Sequence, residues 1–209
     1  MKLLADELRP KNINDVLGQE HLIGKGKVLY NLIENKKMFS LILYGNPGIG
    51  KTTLAKVIAY EMDMPFEFLN ATQNNKADFE MAMNDARLNG QKIIIIDEIH
   101  RMNKDKQDIL LPFLENGTII LIGLTTSNPY LKVNPAIRSR CTIFELHPLS
   151  QEDILKGLKK AILKLDNINI DEEALSAISK IAGGDLRYAY NLLEISYYAF
   201  KNIKITKES

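Results

Sequence analysis

One segment of the sequence, Gly45–Thr52, constrains the fold more than any other. It reads Gly-Asn-Pro-Gly-Ile-Gly-Lys-Thr, with an apolar run before it and a helix predicted over Thr53–Met62. Glycines at this spacing let backbone N–H groups wrap around phosphates, and the positive end of the following helix points at them. Lys51 then offers its charge to the β and γ phosphates, and Thr52 offers its hydroxyl to Mg²⁺.

A turn that ends in Lys-Thr by chance is the alternative, and it is disfavoured because both flanks of the segment have the required character. The predicted nucleotide-binding residues of this segment are Gly45, Asn46, Pro47, Gly48, Ile49, Gly50, Lys51, Thr52 and Thr53.

Short β-rich runs alternate with longer helical segments over the first 150 residues. Three of these runs are almost continuously apolar, among them Ile93–Ile96 and Ile119–Ile122. Continuous apolarity is typical of strands buried on both faces, and therefore of a parallel sheet covered by helices. The alternation predicts an α/β fold with right-handed crossovers. The five predicted strands are Ser40–Gly45, Met64–Ala71, Gln91–Glu98, Thr118–Thr126 and Cys141–His147.

The pattern changes near Ser150, which with Asp153 resembles a capping box at the start of a helix. From there only helices are predicted, over 151–165, 171–182 and 185–201. We therefore predict an α/β nucleotide-binding domain at 1–149, a small all-helical lid domain at 150–202, and the start of a truncated C-terminal region at 203–209.

Two carboxylates follow the most apolar predicted strand, because Ile93–Ile96 runs directly into Asp97 and Glu98. Carboxylates at the end of a buried strand cost desolvation free energy unless they meet a cation or hydrogen-bond donors. We assign Asp97, with Thr52, to the Mg²⁺ shell, and Glu98 to the general base that polarises the attacking water. A strand that simply leaves the core for a polar loop is the alternative, and the phosphate-binding segment upstream favours hydrolysis of a nucleoside triphosphate.

Composition excludes several other classes of protein. The net charge is +1, from 27 basic and 26 acidic residues, so charge alone gives no case for nucleic-acid binding. A single cysteine, Cys141, allows neither an intrachain disulfide nor a zinc site built on paired cysteines, which fits a reducing compartment. No apolar run is long enough to span a bilayer, and acidic Asp6 precedes any signal-peptide core. We expect a cytoplasmic protein without a membrane partner.

The residues from Asp97 onwards carry a resemblance to a known family. Asp-Glu-x-His-Arg-x-Asn-Lys begins at Asp97, Gln-Asp-x-x-Leu-Pro at Gln107, Glu-x-Gly-Thr-Ile at Glu115 and Leu-Ile-Gly-x-Thr-Thr-x-Asn-Pro at Leu121. With Leu-Arg-Pro at Leu8 and Gly-Gln-Glu-His-Leu at Gly18, these motifs resemble the AAA+ ATPases called replication-associated recombination protein A. The family is related to the Werner helicase-interacting protein and belongs to the clamp-loader clade. The resemblance implies a P-loop AAA+ module with a five-stranded parallel sheet and a helical lid, which binds ATP and Mg²⁺.

The resemblance also implies roles for individual residues. Thr125 and Thr126 match the sensor-1 position, where a polar side chain orients water or contacts the γ-phosphate, and which threonine does so is open. Arg140 matches an arginine finger that acts on ATP bound by a neighbouring subunit. Arg187 matches sensor 2, which reaches the γ-phosphate from the lid. Adenine is expected against the N-terminal segment that contains Arg9, Pro10, Leu17 and Gly18.

Histidines and aromatic residues receive structural interpretations. His21, His100 and His147 do not have the spacing of metal ligands, and His100, after the acidic pair, is expected to pack or hydrogen-bond near the site. The aromatic residues of the last predicted helix, Tyr190 among them, are interpreted as packing residues.

The function that the resemblance implies is ATP hydrolysis, weak in the isolated chain, within a homo-oligomeric protein of DNA replication, recombination and repair. Implied partners are forked, gapped or single-stranded DNA ends and replication proteins such as single-strand-binding protein, at the nucleoid. A non-catalytic nucleotide-binding scaffold subunit and another DNA motor of the clamp-loader clade are the alternatives. Catalysis is favoured because scaffold subunits usually lose the phosphate-loop lysine, the acidic pair or a sensor. All of the corresponding groups are present here, namely Lys51, Thr52, Asp97, Glu98, Arg140 and Arg187.

Overall fold

The computed structural model describes residues 4–201 and 203–208. Its strands are β1 Leu41–Tyr44, β2 Phe66–Asn70, β3 Lys92–Asp97, β4 Ile119–Thr125 and β5 Thr142–Glu145. They form one sheet of order β2-β3-β4-β1-β5, and every pairing is parallel. The prediction of a five-stranded parallel sheet is confirmed, and each strand is one or two residues shorter at either end than the run that predicted it.

Helices connect the strands and cover both faces of the sheet. The helices of the described residues are α1 Leu4–Glu7, α2 Glu20–Ile23, α3 Val28–Glu34, α4 Lys51–Glu61, α5 Lys76–Asn89, α6 Lys104–Glu115, α7 Pro129–Lys132, α8 Pro135–Arg138, α9 Gln151–Ile162, α10 Glu172–Ala182 and α11 Leu186–Ala199. The prediction that the helix after the phosphate-binding segment begins at Thr53 is wrong by two residues. Helix α4 begins at Lys51 because Gly50, in a left-handed conformation, is its N-cap.

The isoleucines of β3 explain why the sequence shows continuous rather than alternating apolarity. Ile93 and Ile95 belong to the hydrophobic cluster on one face of the sheet, with residues of α4. Ile94 and Ile96 belong to the cluster on the other face, with residues of α5. All four side chains are fully buried. Since side chains alternate between faces along a strand, a sheet covered on both sides needs apolar residues at every position.

Helices α9, α10 and α11, which we call the lid, pack around a separate hydrophobic cluster that includes Leu158, Leu175 and Leu193. The capping box of Ser150 and Asp153 is present at the start of α9, as predicted. Helices α9 and α11 end two to three residues earlier than predicted. The domain boundaries stay predictions.

Residues 203–208 lie against the lid. The Ile205 N–H donates to the Asn169 carbonyl at 2.8 Å, and Ile205 forms a parallel β-bridge with Ile170. Residues 1–3, 202 and 209 of the predicted domain ranges lie outside the described residues. In the part of the chain that the structure describes, no helix combines the length and the apolarity needed to cross a bilayer.

Candidate active site

The topology of the sheet brings the predicted motifs to one edge. Strands β3, β4 and β1 are neighbours, and their carboxyl ends point the same way. Strand β1 leads into Gly45, whose N–H donates to the Thr125 carbonyl at the end of β4 at 3.3 Å. Strand β3 ends at Asp97, which is followed by Glu98. Ligands of open parallel sheets bind outside the carboxyl ends of the strands, so a ligand site is expected at this edge of the sheet.

The loop between β1 and α4 offers positive charge and backbone donors. Lys51 Nζ donates to the carbonyls of Gly45 at 2.8 Å and of Asn46 at 2.7 Å, so the ammonium lies folded back over the loop. Burial lowers the pKa of Lys51 from its ordinary value, against the opposing effect of the Asp97 and Glu98 charges. The N-terminus of α4 faces the same space, which suits it for phosphate oxygens.

The acidic pair lies opposite this loop. Asp97 Oδ1 accepts a hydrogen bond from the Glu98 N–H at 2.9 Å, which leaves the second carboxylate oxygen for another partner. Glu98 has φ of 52°, a left-handed conformation that is uncommon for a residue other than glycine. The chain turns there from β3 into the 3-10 helix Ile99–Arg101. Such backbone strain in a non-glycine residue is typical of functional sites.

A cavity of about 180 Å³ joins the loop, the acidic pair and the lid. Lys51, Thr52, Asp97 and Glu98 line it, together with Arg187 from α11. The other lining residues are Ala5, Arg9, Pro47, Gly48, Gly50, Thr53, Thr126 and Leu186. The structure therefore brings together most of the predicted phosphate, metal and catalytic residues in one space.

Direct contact between the lid and the loop places Arg187 in this cavity. The Leu186 N–H donates to the Gly48 carbonyl at 3.3 Å. Asp185 caps α11 by accepting a hydrogen bond from the Tyr188 N–H at 2.8 Å, and its carboxylate lies against Gly48. A Cβ at Gly48 would lie only 1.8 Å from Asp185 Oδ1, and the φ of Gly48 is +70°. Glycine is therefore required here for the close approach as well as for the backbone conformation.

A second, more apolar cavity of about 420 Å³ adjoins the first and shares with it Ala5, Arg9, Gly50, Thr53 and Leu186. Its walls include the predicted adenine-contacting residues Arg9, Pro10 and Leu17, and also Ile49. Tyr190, interpreted from the sequence as a packing residue, lines it as well. Burial raises the pKa of Tyr190 to about 12, so its hydroxyl stays protonated. An apolar pocket with a few polar groups suits a planar base.

The two threonines at the end of β4 have different surroundings. Thr126 lines the smaller cavity. Thr125 is fully buried, and its Oγ1 lies 2.8 Å from His100 Nδ1 and accepts a hydrogen bond from the Ser127 N–H at 3.0 Å. The structure thus separates two residues between which the sequence did not decide.

Arg140 does not belong to the lining of either cavity among the described residues. Its guanidinium forms an ion pair with Glu115 and donates to the Ala136 carbonyl at 2.7 Å. Its side chain is about one third exposed, at 35%. The role that the resemblance implies for Arg140, on ATP bound by a neighbouring subunit, stays a prediction.

Three more predicted residues lie beside the cavities rather than on their walls, namely Gly18, Gly45 and Asn46. Gly18 packs against Leu149 and the first turn of α9, since a Cβ there would lie 2.5 Å from Leu149 Cδ2 and 3.4 Å from Asp153 Oδ2. Sequence reasoning assigned no role to Gln19, whose side chain is buried. Its Nε2 donates to the His147 carbonyl at 2.7 Å, and its Oε1 accepts a hydrogen bond from the His147 N–H at 2.9 Å. The same amide lies 3.5 Å from the Ile49 carbonyl, so it ties the loop to the segment after β5. Gln19 stands in the Gly-Gln-Glu-His-Leu motif that carries the resemblance, but nothing in that motif indicates a partner 128 positions away.

The oxygen donors of the smaller cavity fit a hard divalent cation. Thr52 and Asp97 both line it, and hydroxyl and carboxylate oxygens are suitable Mg²⁺ ligands. No group of three or more His, Cys, Asp and Glu residues within 4–201 and 203–208 could hold a metal by itself. Mg²⁺ usually takes its other ligands from water and substrate phosphates, so two protein ligands are a sufficient set.

Comparison with known proteins agrees with this geometry. The model of the ATPase family associated with various cellular activities (AAA) matches residues 41–149, from the start of β1 to the residue before the capping box. The chain belongs to the AAA ATPase family. The match includes the loop, the acidic pair, both threonines and Arg140.

The predicted resemblance within the AAA family is confirmed. Replication-associated recombination protein A of Bacillus subtilis is 47% identical over 207 residues, which cover 96% of this chain and 49% of that protein. The ATPase WRNIP1 of Dictyostelium discoideum is 38% identical over 214 residues, which cover 98% of this chain and 24% of that protein. The chain therefore spans about half the length of the first relative and about a quarter of the second.

Among solved structures, the Thermotoga maritima RuvB Holliday junction branch migration motor superposes with a TM-score of 0.80 at 26% identity. The superposition covers 96% of this chain and 70% of the RuvB chain. The P-loop AAA fold predicted from the sequence is thereby confirmed.

Proposed function

We propose that this AAA ATPase chain binds Mg-ATP and hydrolyses it to ADP and phosphate at the smaller cavity. The observation that carries the proposal is that Lys51, Asp97, Glu98, Thr126 and Arg187 line one space. These residues come from the loop, two strand ends and the lid, and they are the groups that phosphoryl transfer requires: a cation on the phosphates, a metal ligand, a base and polar contacts to the γ-phosphate.

Binding uses both cavities. The adenine lies in the apolar cavity beside Leu17 and Tyr190, and the phosphates lie along the loop at the N-terminus of α4. Lys51 exchanges its two loop carbonyls for phosphate oxygens, which are stronger partners because they are charged. Mg²⁺, held by Thr52 and Asp97, would neutralise charge on the β and γ phosphates.

In the hydrolytic step Glu98 accepts a proton from water as the water oxygen attacks the γ-phosphorus. The bond between the γ-phosphorus and the bridging oxygen breaks, and ADP leaves. Thr126 orients the water or the γ-phosphate as the sensor-1 residue, and Arg187 contacts the γ-phosphate from the lid as sensor 2. Contact between the lid and the loop at Gly48 holds Arg187 at the required place.

Arg140 completes the site of a neighbouring chain in a homo-oligomer. Its position outside both cavities of its own chain supports this arrangement. An arginine supplied in this way accelerates hydrolysis by about 10³–10⁵-fold in other NTPases. The isolated chain therefore hydrolyses ATP weakly when it is dilute.

The hydrolysis serves replication-fork and recombination maintenance on DNA, with forked, gapped or single-stranded ends as substrates. Replication proteins such as single-strand-binding protein act with it, in the cytoplasm at the nucleoid. Identity of 47% to replication-associated recombination protein A, against 26% to RuvB, favours this assignment over another motor of the clamp-loader clade. The intact set of catalytic groups disfavours a non-catalytic scaffold.

Calorimetric titration of Mg-ATP into the parent chain and into Lys51→Ala tests the binding step. We expect the variant to lose most of its affinity, because a charged partner of the phosphates is removed. Lys56→Ala is a matched control, since Lys56 lies on the same helix and outside the lining of both cavities. Equal affinity of the parent and Lys51→Ala contradicts the proposal. Turnover measured with and without forked or gapped DNA then tests the DNA assignment.

A further inference from the structure

His100 connects the acidic pair to the end of β4. Its side chain is almost completely buried, at 9% exposure. One ring nitrogen, Nε2, lies 3.3 Å from Glu98 Oε2. The other, Nδ1, lies 2.8 Å from Thr125 Oγ1, and that oxygen in turn accepts a hydrogen bond from the Ser127 N–H.

The two neighbours of the ring, Thr125 and Glu98, determine which nitrogen of His100 carries the proton. A threonine hydroxyl has one proton, and the Thr125 proton can go to His100 Nδ1 at 2.8 Å or to the Ser127 carbonyl at 3.3 Å. In the first case Nδ1 is an acceptor, and in the second it donates to Thr125 Oγ1. The Glu98 carboxylate beside Nε2 decides for the first, because a carboxylate can only accept. A neutral imidazole then carries its proton on Nε2, where it can be donated to the Glu98 carboxylate. With the proton on Nδ1 instead, a lone pair on Nε2 would face a carboxylate oxygen, which is repulsive.

The state of the ring agrees with this assignment. Burial is the largest influence on His100 and lowers the pKa of the ring below its ordinary value, so the neutral form is favoured. A neutral ring with one donor and one acceptor matches its two neighbours without any unsatisfied nitrogen.

We infer that His100 is a positioning residue for Glu98, that Thr125 fixes the ring of His100, and that this network ties the general base to the strand end that carries Thr126. The inference rests on the proposed function in one respect, the role of Glu98 as base. Glu98 occupies a strained turn and its side chain is about one third exposed, at 34%, so its carboxylate needs a partner to hold one orientation.

The network also has a consequence for nucleotide sensing. Thr126 lies between Thr125 and Ser127, which both belong to the network. The proposed γ-phosphate contact is therefore flanked on both sides by residues that belong to the same network as the proposed base.

A kinetic comparison tests the positioning role. We expect His100→Ala to lower kcat by about 10- to 100-fold, a part of the 10²–10⁴-fold that a well-placed general base contributes. ATP affinity should stay within about 3-fold, since the ring contacts no residue assigned to phosphate binding. His100→Gln should restore part of kcat, because the amide again supplies one donor and one acceptor.

The Thr125 variants test the support of the ring. Thr125→Ser keeps the hydroxyl and should keep kcat near that of the parent, whereas Thr125→Val should lower it. The double variant of Thr125→Val and His100→Ala should be no slower than His100→Ala alone, as expected for residues that act through one network.

Ser179→Ala is the matched control for loss of a buried hydroxyl, because Ser179 is 2% exposed and lies in the lid helix α10. It should leave kcat unchanged. The inference is overturned if His100→Ala keeps the kcat of the parent, if Ser179→Ala loses kcat to the same extent as His100→Ala, or if His100→Gln gives no recovery.

A measurement that needs no turnover separates this inference from the proposed function. The chain has three histidines, so long-range proton–nitrogen NMR spectra of the imidazoles can be assigned with His100→Gln. We expect the neutral ring of His100 to carry its proton on Nε2, and a proton on Nδ1 overturns the inference. A parent chain that binds no Mg-ATP refutes the proposed function, whereas the tautomer of His100 still decides the network.

Discussion

Substitution of Gly48 by alanine tests the contact between the phosphate-binding loop and the lid. The new Cβ would lie 1.8 Å from Asp185 Oδ1, and heavy atoms must be at least 3.0 Å from a Cβ, so the carboxylate has to move by about 1.2 Å. That movement removes the N-cap hydrogen bond from the Tyr188 N–H, which costs about 1 kcal/mol. The left-handed backbone, at φ of +70°, costs about 1–2 kcal/mol more for alanine.

Gly50→Ala is the matched control. Gly50 is in the same loop and also has positive φ, at +101°, but a Cβ there would meet nothing within 4 Å. The backbone cost is not the same at the two positions, because φ of +101° lies outside the left-handed region that alanine can adopt, and Gly50 is also the N-cap of α4. Gly50→Ala therefore controls for backbone strain in the loop, and a double-mutant cycle isolates the contact with Asp185. Thermal unfolding of the nucleotide-free chain should show a Tm lower by about 4–12 °C for Gly48→Ala than for the parent, from a loss of about 2–3 kcal/mol.

Asp185→Gly provides the second half of a double-mutant cycle. Glycine is a tolerated N-cap residue that costs only about a few tenths of a kcal/mol, and it removes the atoms that collide with the new Cβ. In the Gly48→Ala background it should therefore cause no further loss of stability. Full additivity of Gly48→Ala and Asp185→Gly would refute the contact as we describe it.

Two further predictions concern the neighbouring chain and the thiol. The specific ATPase activity of the parent should rise with protein concentration, and Arg140→Ala should remove that rise. Mixing Arg140→Ala with Lys51→Ala should restore some activity. Full activity of the parent without any dependence on concentration would contradict a shared site. Burial raises the pKa of the Cys141 thiol from 9.0 to about 12. At about pH 8 the folded chain should therefore react with a thiol reagent about 1,000-fold more slowly than the chain in denaturant, and rates within about 10-fold of each other refute this.

The sheet and the loop could be predicted from the sequence because local pattern determines both. Four consecutive isoleucines in β3 indicate burial on two faces, and glycine spacing before Lys51 indicates a phosphate-binding turn. The start of α4 was missed because a left-handed Gly50 can cap a helix without any polar side chain.

The remaining features depend on contacts between residues distant in the sequence. Thr125 and Thr126 are adjacent and identical, and they differ only in the folded chain, where Thr125 contacts His100 and Thr126 lines the smaller cavity. Gln19 holds backbone groups of His147, which lies 128 positions away, and no periodicity reports such a pair. Tyr190 looks like any apolar position of an amphipathic helix, since the cavity beside it is formed by the N-terminal segment.

The central claim is that Glu98 acts as a base in ATP hydrolysis and not as a binding residue. Glu98→Gln keeps the size and hydrogen-bonding capacity of the side chain while it removes the proton acceptor. Mg-ATP affinity by calorimetry and single-turnover hydrolysis should be measured on the parent and on this variant, at a protein concentration that saturates any dependence on a neighbouring chain. We expect affinity within about 3-fold of the parent and a hydrolysis rate lower by about 10²-fold or more. A Glu98→Gln chain that hydrolyses ATP at the parent rate would contradict the central claim.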